Sequence, residues 1–194
     1  MTVNGTDRWE RRYRESQTMQ RPQAAAVLAD HVHLLPASGA AVDLACGRGG
    51  NALLLAAHGL QTQAWDYAAT ALQDLEQLAA AEQLAIDCQC RNIVESPPAA
   101  DSFDVIVVSH FLDRTIMPAL AGALRPAGLL FYQTFSCTAV SDAGPNNPAY
   151  RLADNELLQL LPQLQVVHYH EAGRLGDSSH GFRDRVQYIG WRRP

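Results

Sequence analysis

The chain has 194 residues, of which 47% are hydrophobic and 18% charged, and its formal net charge is −5. That is enough apolar material for one buried core and little for a second. The acidic balance excludes a general nucleic-acid binder, which needs a basic face for phosphates, and no apolar run reaches the ~18 residues of a membrane span.

The first stretch, Met1 to Arg14, is polar and lacks the apolar segment of a secretory signal. Cysteines 46, 88, 90 and 137 are few and irregularly spaced, which fits a reduced compartment better than a disulfide framework, so a cytoplasmic location is expected. In the run Asp7-Arg8-Trp9-Glu10-Arg11-Arg12-Tyr13-Arg14, Trp9 and Tyr13 lie four apart, on one face of a helix. A helical signal over Gln23–Leu35 ends at Pro36 and Ser38-Gly39, which release the chain into a first strand.

From there strand and helix signals alternate. Strands are expected at Ala41–Ala45, Gln61–Asp66, Ala85–Cys90, Phe103–Ser109, Leu129–Phe135, Leu164–Glu171 and Arg185–Trp191, and helices at Gly50–His58, Ala68–Ala81, Thr115–Leu124 and Asp154–Leu161. Asp154 followed by Glu156 reads as a capped helix start. Short links between alternating elements predict right-handed crossovers, giving an α/β three-layer sandwich with a mostly parallel sheet. The last two strands follow each other without a helix, which makes a C-terminal antiparallel hairpin. One domain is expected over 1–194, with residues 1–38 as an N-terminal helical cap.

The most informative segment is Val42-Asp43-Leu44-Ala45-Cys46-Gly47-Arg48-Gly49-Gly50, with Asp66 at the end of the next apolar run. An apolar strand enters a glycine-rich turn and then a helix at Asn51. Glycines 47 and 49 let the backbone approach a ligand, and the helix start offers unpaired N–H groups. An acid about 20 residues on, at the neighbouring strand tip, suits ribose hydroxyls. The turn therefore binds a nucleoside-bearing cofactor. Read as Gly47-x-Gly49-x-x-Ala52 it matches a dinucleotide fingerprint, which by itself is weak.

The same nine residues resemble motif I of class I S-adenosylmethionine-dependent methyltransferases, with Ala45 in place of the family's first glycine. Asp43 stands where that family keeps a carboxylate near the methionine end of the cofactor, a place where an acid would serve no purpose beside a pyrophosphate. The resemblance covers nearly the whole chain and implies a Rossmann-like, seven-stranded sheet. It further implies Asp66 on the ribose, Tyr67 against adenine, Asn92 accepting from the adenine amine, Ile93 as an apolar wall offering its N–H, and Ser109 and His110 lining the methionine half. The N-terminal Trp9-x-x-Arg12-Tyr13 is similar to a segment preceding many small methyltransferases. Such a helix would lid the site, with Tyr13 or an arginine meeting the methionine carboxylate, or would merely pack on the sheet.

Phe111-Leu112-Asp113-Arg114, Tyr132-Gln133-Thr134-Phe135, Gly144-Pro145-Asn146-Asn147-Pro148 and Glu156-Leu157-Leu158 resemble bacterial tellurite-resistance (TehB-like) methyltransferases. That resemblance implies a histidine and an arginine acting in the final hairpin, here His180 and Arg185, with Arg183 as an alternative. The acceptor expected is a small molecule, a tellurite- or selenite-type oxyanion or a thiol. His110 and His180 are the candidate bases, and Arg114 and Arg185 the candidate anion holders. The 140–150 loop and the N-terminal helix are the expected lids.

Other motifs carry less. Asn147-Pro148-Ala149-Tyr150 resembles the motif of amino-methylating DNA enzymes but follows the fifth strand rather than the fourth. Cys88-x-Cys90 and His168-x-His170 fall on opposite edges of the expected sheet, so no shared metal is expected. Cys46 reads as small packing within the turn. A small NAD(P)-linked oxidoreductase and a non-catalytic binding module on the same fold are the alternatives.

Overall fold

The computed structural model describes residues 5–16 and 20–194, the side chains of 5–8 excepted. Residues 1–4 and 17–19 of the expected N-terminal cap lie outside the described residues.

Helix α1 (Gly5–Glu15) is followed by α2 (Ala26–Ala29), β1 (Ala40–Leu44), α3 (Gly50–Ala57), β2 (Gln61–Asp66), α4 (Ala69–Ala81), β3 (Ile86–Cys90) and β4 (Phe103–Ser109). Then come α5 (Met117–Ala123), β5 (Leu124–Phe135), α6 (Glu156–Leu160), β6 (Gln165–His170) and β7 (Arg185–Trp191). The seven strands form one sheet in the order β3-β2-β1-β4-β5-β7-β6. The first five are parallel, and β7 runs antiparallel between β5 and β6. The α/β sandwich with its reversed hairpin is thus observed, and the Cys88 and His168 strands are its two edges.

The central strands are buried on both faces, as parallel strands under helices must be. Val105 and Val107 face one layer with Val27, Leu28, Leu55 and Phe131. Ile106 and Val108 face the other, with Met117, Leu120, Tyr132 and Tyr188. Register then sets the site: Leu44 pairs with Trp65 on one side and with Val108 on the other. The turn after β1, Asp66 and Ser109 therefore meet along one rim of the sheet.

Three local expectations are corrected. The helix expected over Gln23–Leu35 is only α2 plus a 3-10 turn at Val32–Leu34. Its start is capped from outside: the N–H of Ala25 donates to Asn51 Oδ1 at 2.8 Å and that of Val27 to Gln133 Oε1 at 3.0 Å. Those bonds fix the chain where it enters α2, with Ala25 extended and no local side chain as a cap. Asp154 does not cap α6; Asn155 is the N-cap, in the left-handed region, while Glu156 reaches back to the N–H of Ala153 at 2.8 Å. β5 begins at Leu124, because Leu124 pairs with Phe103 before an irregularity and the strand proper.

Candidate active site

The turn after β1 is built from backbone that favours glycine. Gly47 and Gly49 have φ of 53° and 75°, and Ala45 adopts φ 52° despite its methyl. Gly50 is required for another reason: a Cβ there would lie 2.3 Å from the carbonyl oxygen of Gln23. The incoming segment thus packs directly on the start of α3.

Asp66 leaves β2 with its carboxylate aimed at the turn. Oδ2 accepts from the N–H of Gly47 at 2.8 Å and Oδ1 from that of Ala68 at 2.8 Å. A carboxylate offers about four acceptor positions, so these bonds do not exhaust its capacity for a hydroxyl. Burial pushes its pKa up, and the bonds from Ala68, Gly47 and Tyr67 oppose that.

Asp43 is wholly buried beneath the turn. It accepts from Asn51 Nδ2 at 3.1 Å and from the N–H of Ala52 at 3.2 Å. Burial pushes its carboxyl up to about 7 against those two bonds, and Asp66 adds to the rise. Asn51 also donates to Ser109 Oγ at 3.0 Å. Asp43, Asn51 and Ser109 therefore form one polar chain from β1 through α3 to β4. In this arrangement Asp43 fixes the start of α3, whose N–H groups it partly satisfies.

Tyr13 on α1 lies over the turn. A Cβ on Gly47 would come within 2.6 Å of the Tyr13 hydroxyl, so the bare glycine is what lets the ring approach. Burial, chiefly, pushes the phenol up, so it stays protonated and can donate. Tyr67 is half-buried directly after Asp66. Asn92 is exposed and its Oδ1 accepts from the N–H of Val94 at 3.1 Å, a local turn that leaves one lone pair. Ile93 is buried in the core cluster with Trp65 and Leu44.

A second group gathers at the tips of β4, β5 and β7. His110 has φ 57°, and its N–H donates to the carbonyl of Gln133 at 2.8 Å. Its ring stands 5.3 Å from that of Phe135, and the Arg185 guanidinium lies 4.8 Å from the same Phe135 ring and 5.9 Å from that of Phe182. His110 is exposed to solvent, although its ring packs beside Phe135. The crowding, with Arg185's charge second, lowers its pKa to about 4. The Nε of Arg185 and the Nε2 of His170 are buried without a hydrogen-bond partner among the described residues. His170 packs edge-on to Phe182, with ring centroids 6.3 Å apart. Sequence reasoning weighed His170 only as half of a metal pair and passed over Phe182; the hairpin of β6 and β7 brings His170 and Phe182 together near Arg185.

The other candidates have different tasks. Arg114 puts Nε and Nη2 on Glu156 at 2.5 and 2.9 Å and donates to the carbonyls of Ala149 and Arg151. It is a clasp between the link after β4 and α6, and its fork is taken up by a carboxylate of the chain itself. His180 has a side chain 81% exposed and bonds to Asp177 at 2.6 Å. Arg183 donates to the carbonyls of Gly173, Leu175, Asp177 and His180. Those two residues shape the hairpin loop, and of the hairpin candidates only Arg185 reaches the group around His110. The 140–150 loop is tied by Arg151 to the carbonyls of Ser136, Ala143 and Pro145.

Residues 41–128 match the family model described as a methyltransferase domain. No curated protein matches the chain. Among solved structures, TehB from Haemophilus influenzae superposes with a TM-score of 0.72 at 18% identity, over 93% of this chain and 65% of that one. A protein of echinomycin biosynthesis, described as converting a disulfide bond into a thioacetal group, gives 0.72 at 19% identity over 98% and 93%. An S-adenosylmethionine-dependent methyltransferase from Mesorhizobium loti gives 0.68 at 16% identity over 87% and 99%. The chain spans about two thirds of TehB's length, and at these identities the likeness is one of fold. The domain match bears on the turn itself, which lies within residues 41–128.

Proposed function

We propose that the chain is an S-adenosylmethionine-dependent methyltransferase whose acceptor is a small molecule that arrives already nucleophilic, an oxyanion of the tellurite or selenite type or a thiolate. The observation that carries the acceptor class is the pairing of His110 with Arg185 across Phe135. A histidine whose conjugate acid has a pKa of about 4 is neutral near pH 7 and a poor proton acceptor. Such a site has little means to activate an alcohol or an ammonium ion. It has a cation, the Arg185 guanidinium, for a group that is already anionic.

S-adenosylmethionine, when bound, supplies a methyl group on a sulfonium, an electrophile needing no further activation. The chain's part is then binding, alignment and exclusion of water. The Asp66 carboxylate would hold the ribose hydroxyls, and Asn92 with the Ile93 N–H the adenine edge. The Tyr13 hydroxyl would donate to the methionine carboxylate. Arg185 would fix the acceptor's charge, Phe135 and Phe182 would shut out water, and neutral His110 would donate or accept one hydrogen bond without changing charge. The structural likeness to TehB and to the echinomycin protein supports trying chalcogen acceptors first.

The test is transfer of labelled methyl from S-adenosylmethionine to selenite, tellurite and a panel of small thiols, with catechol and a primary amine as controls. Methylation of the first group that is lost in Arg185→Met supports the reading. Transfer confined to catechol or the amine sinks it.

A further inference from the structure

The residue between the two turn glycines, Arg48, has a side chain only 17% exposed, although an arginine in a surface turn would ordinarily be solvated. Its Nε bonds to Asp74 Oδ2 of α4 at 2.7 Å. Its Nη1 donates to Ser16 Oγ at 3.0 Å, and its Nη2 to the carbonyls of Tyr13 and Ser16 at 3.0 and 2.6 Å. The guanidinium also lies 5.5 Å from the Tyr13 ring centroid. The last carbonyls of a helix have no partner within it, and a cation is favoured there. Arg48 therefore caps the end of α1 while anchored to α4.

Among the described residues, helix α1 has few other polar ties. Its 11 residues, GTDRWERRYRE, are too few and too charged for stability alone. Among the described residues a second polar tie to α4 is Glu10, which accepts from the side chain and the N–H of Thr70. Yet α1 carries Tyr13, whose hydroxyl stands against Gly47 in the middle of the turn.

We propose that Arg48 is a positioning residue: a latch that fastens α1 over the cofactor turn and sets how long the cofactor stays bound. This rests on the S-adenosylmethionine reading for the ligand, but the latch itself is a property of the ligand-free chain. The latch and the cradle share one backbone segment, Gly47 to Gly49. Releasing α1 from Arg48 removes the cover over the turn without removing any group assigned to the ribose or adenine.

The test compares the wild type with Arg48→Met, Arg48→Lys and Thr70→Val. In the ligand-free protein, trypsin should cut after Arg11, Arg12 or Arg14 at least tenfold faster in Arg48→Met. S-adenosylhomocysteine, followed by stopped-flow displacement, should leave Arg48→Met at least tenfold faster, with an association rate within threefold of wild type. Arg48→Lys, which keeps the charge beside Asp74, should recover part of both, and Thr70→Val should move both in the same direction by less. A merely structural role would lower the melting temperature without dividing the on- and off-rates this way. Cleavage and off-rates within twofold of wild type in Arg48→Met would overturn the latch. Failure of the wild type to bind S-adenosylhomocysteine would instead sink the cofactor reading, and the cleavage arm would still decide the latch.

Discussion

The Gly47 N–H donates to Asp66 Oδ2 across 2.8 Å, joining the turn after β1 to the tip of β2. The residue expected to hold the ribose is thereby also the residue that fixes the shape of the cradle. Its orientation is set before any ligand arrives, because Ala68 holds the other oxygen. Preorganisation of this kind lowers the ordering cost of binding.

Replacing Asp66 by Asn keeps the size and one acceptor oxygen but loses the charge and leaves one backbone N–H facing an NH2. Charge-assisted bonds are worth about 1.5–3 kcal/mol. S-adenosylhomocysteine should therefore bind at least tenfold more weakly by calorimetry, with the fold retained by circular dichroism.

Ala45 occupies the left-handed region that its methyl disfavours by roughly 1–2 kcal/mol. Glycine relieves that strain and gives back part of it as unfolded-chain entropy. Ala45→Gly should raise the unfolding free energy by ~0.5–1 kcal/mol in urea titrations. A loss of stability would show that the methyl makes packing contacts worth more than the strain.

Asp43 couples stability to pH. Its folded pKa of about 7 lies above the ordinary carboxylate value, so the folded state holds this proton more tightly than the unfolded state does. The stabilisation is complete below the unfolded pKa and is lost as pH rises through about 7, with a slope of at most ~1.4 kcal/mol per pH unit. Urea unfolding at pH 5, 6, 7 and 8 should show wild type losing stability relative to Asp43→Asn across that window and running parallel to it above. Parallel curves throughout would mean that Asp43 stays ionised in the fold.

Arg185 is the charged neighbour that helps keep His110 neutral. Removing it favours the imidazolium, so in Arg185→Met the His110 ring should titrate at higher pH than in wild type, as read from its NMR shifts. Affinity for S-adenosylhomocysteine should change less than threefold, since the proposed role of Arg185 is toward the acceptor. An unmoved His110 titration would separate the two residues.

Most strands were legible in the sequence because a parallel sheet covered on both faces writes its strands as short apolar runs between turn residues. Phe103–Ser109 and Arg185–Trp191 were placed to the residue. The turn was legible for a related reason: a backbone that must approach a ligand needs glycine. What was not legible depended on partners remote in sequence. Gln23–Leu35 has helical periodicity, but Asn51 and Gln133, from α3 and β5, capture its N–H groups and set where α2 starts. Arg114 looked like an anion holder until Glu156, 42 residues on, took its fork. Arg48 gave no signal at all, since its partners belong to α1 and α4.

The central claim is the identity of the cofactor, and a thermal-shift titration with S-adenosylhomocysteine and NADH, run on wild type and Asp66→Asn, tests it most directly. Binding to the native state raises the melting temperature with ligand concentration. The result expected is a concentration-dependent rise with S-adenosylhomocysteine, no rise with NADH, and a curve displaced to at least tenfold higher concentration in Asp66→Asn. A rise with NADH alone, or no response to S-adenosylhomocysteine from a wild-type protein that melts cooperatively, would contradict it.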